Sequence, residues 1–195
     1  MSLLFILLLT VAGQFNLPAR EATQSQASSL ADLAPPGWHL LKSAEGDLNG
    51  DGRADAALVF TQSHPAAEDA ADESEEALEA PRRLMIALRD EHGALRETVA
   101  SDGVIICGAC GVMIDEPLLS LSIKRGQLFV EQNIVGGCDI SYAHRIRLSK
   151  GGWQIAGEVQ ARERRTGRQR TIKQNKSIAL ADFAVSEIDA CRGSE

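Results

Sequence analysis

A mostly β fold, made of antiparallel hairpins in one small β-rich domain, is what this sequence predicts, and three observations predict it. Short apolar or alternating runs recur along the chain with turn residues between them. Arg125-Gly126 and residues 150–152 have the length and glycine content of tight hairpin turns. No long stretch carries the 3.6-residue apolar period of a helix. A sandwich, a barrel and a single curved sheet all satisfy this pattern. Apolar residues make up 44% of the 195, with five Phe, two Trp and one Tyr, so the core must be mainly aliphatic. The net charge of −7 argues against non-specific nucleic-acid binding, which needs a basic surface.

Taken in order, residues 3–11 (LLFILLLTV) form an apolar run too short to span a bilayer. They match the apolar region of a secretory signal peptide, with Val11 and Gly13 as small residues at a cleavage point, although no Lys or Arg precedes the run. The expectation is a signal peptide over 1–13, a periplasmic or secreted protein, and no transmembrane span after cleavage. Residues 14–35 are polar and rich in Ala, Ser and Gln, which reads as a flexible leader with a weak helix near 29–33. Pro35, Pro36 and Gly37 then mark the start of a domain over 36–195.

Strand candidates follow at 38–42, 56–62, 83–89, 95–100, 104–107, 118–124, 127–135, 142–149 and 153–160. AALVF at 56–60 is continuously apolar, as in a buried strand. YAHRIRLS at 142–149 alternates instead, with an apolar face and a basic face, as in a half-wet antiparallel strand. An acidic, Ala-rich insertion occupies 64–81, and a basic stretch, RERRTGRQRTIKQNK, occupies 162–176 with a turn at Thr166-Gly167. Both read as solvated surface; the basic stretch suits an anionic partner, but it lacks aromatics to stack on bases. Residues 178–190 predict a short C-terminal helix packing Leu180, Phe183 and Val185.

One segment stands apart. Residues 46–55 read GDLNGDGRAD. Asp47, Asn49, Asp51 and Asp55 fall on alternate positions, and Gly52 allows a sharp reversal. Calcium takes six to eight oxygen ligands, and a loop winding round it points alternate side chains inward. Asp47, Asn49 and Asp51 would supply side-chain oxygens. Arg53 would give its carbonyl with its charge directed outward, and Asp55 would close the shell. Position 12 of the loop is Leu58 where the EF-hand needs a bidentate Glu, so the expected affinity is weak, on the order of 10⁻⁴–10⁻³ M.

The loop, running straight into AALVF, resembles the FG-GAP/VCBS type of calcium motif of integrin-like β-propellers. That resemblance covers about residues 38–60, and the motif occurs once, so a full propeller is not expected. More broadly the chain is similar to a group of small exported bacterial proteins, through GDLNGDGRADAALV, PRRLMIAL, CGACG, IKRGQLFVEQNIVGG and RRTGRQ. It departs from that group at CDISY after Gly136-Gly137. The group implies compartment and calcium but no activity.

The four cysteines, Cys107, Cys110, Cys138 and Cys191, suit disulfides in an oxidising compartment, with three possible connectivities. CGAC at 107–110 also admits a zinc site, completed from Cys138, Cys191, His92 or His144, or a redox pair. The four histidines, His39, His64, His92 and His144, show no paired metal spacing, and His144 falls on an apolar face. Asp115-Glu116 reads as a turn beside Pro117. No nucleophile elbow or phosphate loop is present. The sequence therefore predicts an exported calcium-binding protein with a binding or structural role at the envelope or outside the cell, no nucleic-acid partner and no evident catalysis. The alternative is an extracytoplasmic thiol-disulfide or metal-handling protein using CGAC.

Overall fold

The structure, a computed structural model, describes residues 29–62, 80–107, 117–135 and 138–185. The expected signal peptide and most of the leader, nearly all of the acidic insertion, Cys110, Asp115-Glu116 and Cys191 lie outside the described residues.

The described residues are strands joined in sequence order. β1 (His39–Gly46), β2 (Asp55–Thr61), β3 (Arg82–Arg89) and β4 (Leu95–Ser101) form an antiparallel four-stranded meander. β5 (Leu118–Lys124), β6 (Gln127–Ile134), β7 (Cys138–Ser149), β8 (Gly152–Glu163) and β9 (Gln169–Ala179) form an antiparallel five-stranded one. Local hairpins explain this order: Arg125 and Gly126 both take positive φ (52° and 70°), the two-residue turn that suits strand twist. Neither sheet closes into a barrel or a propeller blade ring, so the fold is mostly β, as its sequence predicts.

The two sheets share one core. Ala57, Val59, Leu84 and Ile86 from the first meet Leu128, Val130, Ile146 and Ile155 from the second, with Leu48, Val104, Trp153 and Leu180 around them. At the β1–β5 seam the Lys42 ammonium donates to the Leu118 and Leu119 carbonyls at 3.2 and 2.9 Å. On the far side, Trp153 Nε1 of β8 donates to Thr98 Oγ1 of β4 at 3.2 Å.

The outer face of the four-stranded sheet is buried too. Leu58, Phe60 and Met85 lie under Leu30, Leu33, Ala34 and Trp38, with Leu40 of β1 beside Phe60 in the sheet. Leu30–Leu33 is a 3-10 turn, so the packed structure reaches upstream of the proline boundary expected at 35–37. Arg83 lies 4.9 Å from the Trp38 ring and forms a two-pronged pair with Asp102 (2.6 and 2.8 Å), which holds this cover at its edge.

Two sequence expectations are corrected. Residues 104–107 are not a strand: the buried Gln132 side chain of β6 donates to Val104 O and accepts from Ile106 N, both at 2.8 Å, in place of a ladder. The expected C-terminal helix shrinks, among the described residues, to the 3-10 turn Leu180–Asp182, because β9 already runs to Ala179. Leu180 and Phe183 join the shared core and Val185 a smaller apolar cluster, so the burial expected there holds without the helix.

Candidate functional site

The 47–55 loop joins β1 to β2 and folds round its own backbone. Gly50 and Gly52 hold φ at +83° and +82°, the left-handed region where a Cβ is strained. Asp47 accepts hydrogen bonds from Gly50 N at 2.7 Å and Gly52 N at 2.9 Å, one on each oxygen. Asn49 Oδ1 accepts from Asp51 N at 3.0 Å, and its amide donates to Asp51 Oδ2 at 2.8 Å. Asp51 Oδ1 accepts from Arg53 N at 2.8 Å. These are side-chain-to-backbone turns, the local chemistry that favours Asp and Asn in tight loops.

Arg53 departs from its expected orientation. Its guanidinium turns back to Asp51 Oδ2 at 2.7 Å, and its Nε donates to the Arg89 carbonyl at 3.1 Å. The Arg53 backbone N–H and the Asn49 amide hold the Asp51 carboxyl below its ordinary range. The loop thus offsets its negative charge with its own N–H groups and one arginine.

Asp55 has a different place. It is fully buried (0% exposed), with Oδ2 accepting from Leu48 N at 2.8 Å and Oδ1 from Arg89 N at 2.9 Å. A buried carboxylate is tolerable only when so satisfied. Arg89 completes the arrangement: its guanidinium donates to Ala54 O at 2.7 Å and Gly93 O at 2.9 Å. Asp55 therefore ties the base of the loop to the end of β3. Nothing in RLMIALR marks Arg89 for this role, since the pairing needs β2 and β3 in register.

By kind, the donors fit calcium: Asp47, Asn49 and Asp51 offer hard oxygens on a tight turn. By position, among the described residues no three His, Cys, Asp or Glu side chains gather to hold a metal ion. Asp51 faces Arg53, and Asp55 faces the Leu48 amide of the loop and the Arg89 amide at the end of β3. The loop presents the right atoms in a self-satisfied arrangement, and a bound cation requires Asp51 to leave Arg53.

The other candidates separate. Neither Cys107 nor Cys138 is a free thiol, and Cys107 is buried. Cys107 follows the bent 104–106 segment, and Cys138 opens β7. His92 is an exposed turn residue beside Glu91. His144 faces the interior at 3% exposure, between Tyr142 and Phe183, whose ring centroids lie 6.0 and 5.0 Å away. It packs over Gly157, where any Cβ would collide with its ring. Burial pushes its pKa down to about 4. No helix among the described residues is long and apolar enough to cross a membrane.

No protein-family model, curated protein or solved structure matches this chain.

Proposed function

We propose that this is an exported calcium-binding protein of the cell envelope, periplasmic or secreted, with a binding or structural role in which the ion stabilises the fold. The observation that supports it most is the 47–55 loop itself. Three oxygen-bearing side chains alternate round a turn whose sharp bends fall on glycines, with a buried fourth, Asp55, anchoring its base. The likeness to the FG-GAP/VCBS loop points the same way. Asp47, Asn49, Asp51 and the Arg53 carbonyl hold the ion. When bound, calcium supplies the positive charge that Arg53 supplies in its absence. Asp55 keeps the loop mouth in shape. Disulfides at Cys107 and Cys138 suit an oxidising compartment, and the burial of Cys107 suits a staple better than an exchanging thiol.

The test is a calcium titration of the thermal melt. Uptake with a dissociation constant on the order of 10⁻⁴–10⁻³ M raises the melting temperature, and chelator reverses it. Asp47→Asn and Asp51→Asn remove the response. Arg53→Gln strengthens it, because the arginine competes for Asp51. Asp55→Ala costs about 1–3 kcal/mol with or without calcium, since it strands the buried Leu48 amide and the half-buried Arg89 amide. An unchanged melt at millimolar calcium in both the wild type and Arg53→Gln refutes the reading.

A further inference from the structure

We infer that the outer face of the five-stranded sheet binds a linear acidic polysaccharide. This face shares no residue with the 47–55 loop and needs no calcium. Strand register defines it. Across β6, β7, β8 and β9 the outward rows are Glu131–Ala143–Glu158–Lys173 and Asn133–Ser141–Gln160–Thr171. Phe129–Arg145–Ala156 lies above them and Asp139–Arg162–Gln169 below. The alternate residues Tyr142, His144 and Ile146 point to the core, which fixes Ser141, Ala143, Arg145 and Arg147 on the solvent side.

Two clefts, of about 510 and 450 Å³, run one after the other along these rows. A register break in β9 widens the first, where Ile155 pairs with Ile178 but Gly157 pairs with Gln174. Small side chains, Ala143, Ala156 and Ser141, line the floor and leave the room.

The chemistry of the lining selects the ligand. Six cations border the clefts against three carboxylates, on a chain whose net charge is −7. Two of the six are spoken for, Arg164 by Asp139 and Lys173 by Glu158. Arg145, Arg147 and Arg162 have no ion pair among the described residues and project from the sheet into solvent. A guanidinium matches a carboxylate in two-pronged fashion. Between the arginines lie Asn133, Ser141, Gln160 and Thr171, which donate to and accept from hydroxyl groups.

The cationic ends are far apart. From Arg147 to the residue paired with Arg162 is eight residues of β7, about 27 Å at ~3.4 Å per residue. A single small anion cannot reach both ends, whereas a polymer carrying hydroxyls and spaced carboxylates can. A nucleic acid would want more stacking surface than Phe129 alone. A bilayer would want an apolar face to insert, and these clefts are polar.

The experiment titrates the full chain, with chelator and 0.15 M salt, against hyaluronan as a glucuronate-bearing polymer. Neutral dextran, single-stranded DNA and phosphatidylglycerol vesicles are run beside it. Hyaluronan binds and dextran does not. Arg145→Gln/Arg147→Gln and Arg162→Gln each weaken binding at least about tenfold, with unchanged melting temperature. Arg125→Gln, in the β5–β6 turn, leaves it unchanged. Absence of hyaluronan binding, equal binding by the cleft variants, or tighter binding to DNA or vesicles overturns the assignment. Because calcium is absent throughout, failure here is distinct from failure of the calcium reading.

Discussion

In the four-stranded sheet, residues 55–60 of β2 are buried without a break, whereas in the five-stranded sheet β7 alternates buried and exposed from Tyr142 to Arg147. Both are central antiparallel strands with neighbours on either side. The difference lies in what covers them. The first sheet packs one face on the shared core and the other under the 30–38 segment, with Leu30, Leu33 and Trp38 laid over Leu58 and Phe60. The second has core on one face and water on the other, so its outer side chains are free to be arginines. The acidic loop belongs to the first sheet and the cationic clefts to the second. A covered sheet leaves its charged groups to its loops, whereas an open sheet can carry them on its face.

The largest expected effect breaks the cover. Phe60 has no exposed surface and sits under the 30–38 segment. Phe60→Ala should cost about 3–5 kcal/mol in urea denaturation. A loss under about 1 kcal/mol would mean that this face is as open as the outer face of the second sheet.

A smaller effect probes the wall between the core and the open face. His144 is buried neutral, its pKa lowered from 6.5 to about 4 by burial. The unfolded chain binds a proton that the folded chain resists, so this contribution is complete above about pH 6.5 and is lost as pH falls toward 4. Between pH 7.5 and 4.5 the wild type should lose about 2–3 kcal/mol more than His144→Phe. Parallel pH profiles for the two proteins would show that the imidazole is hydrated.

The smallest effect sharpens the contrast. Arg145 is exposed on the open face, so Arg145→Ala should change stability by no more than about 0.5 kcal/mol. A cost above about 1 kcal/mol in urea denaturation would show that the open face has a structural duty.

Much of this contrast is legible in sequence, for a reason visible in particular residues. AALVF is unbroken and YAHRIRLS alternates because side chains in a strand change face at every residue, and each pattern records which faces are dry. Arg125-Gly126 announces its hairpin through Gly126, which accepts positive φ freely and sits in a two-residue gap between strand patterns; that Arg125 also takes positive φ is seen only in the fold. The 104–107 segment was not legible, since VIIC looks like a strand until Gln132 arrives to satisfy its backbone. Nor was the C-terminal turn, whose apolar residues suit a helix and an extended segment equally.

Of the candidate site, the chain alone determined which oxygens share one turn and where the glycines let it bend, because both are matters of local spacing. Only the tertiary structure decided how those oxygens are used. Asp47, Asn49 and Asp51 stay with the loop's own amides and Arg53, while Asp55 leaves them for Leu48 and Arg89 N–H groups. That division depends on Arg89, 34 residues away, being brought alongside by strand pairing. The same holds for the cationic face: alternation puts Arg145 and Arg147 on one side of a strand, but sheet register places Arg162 on the same side.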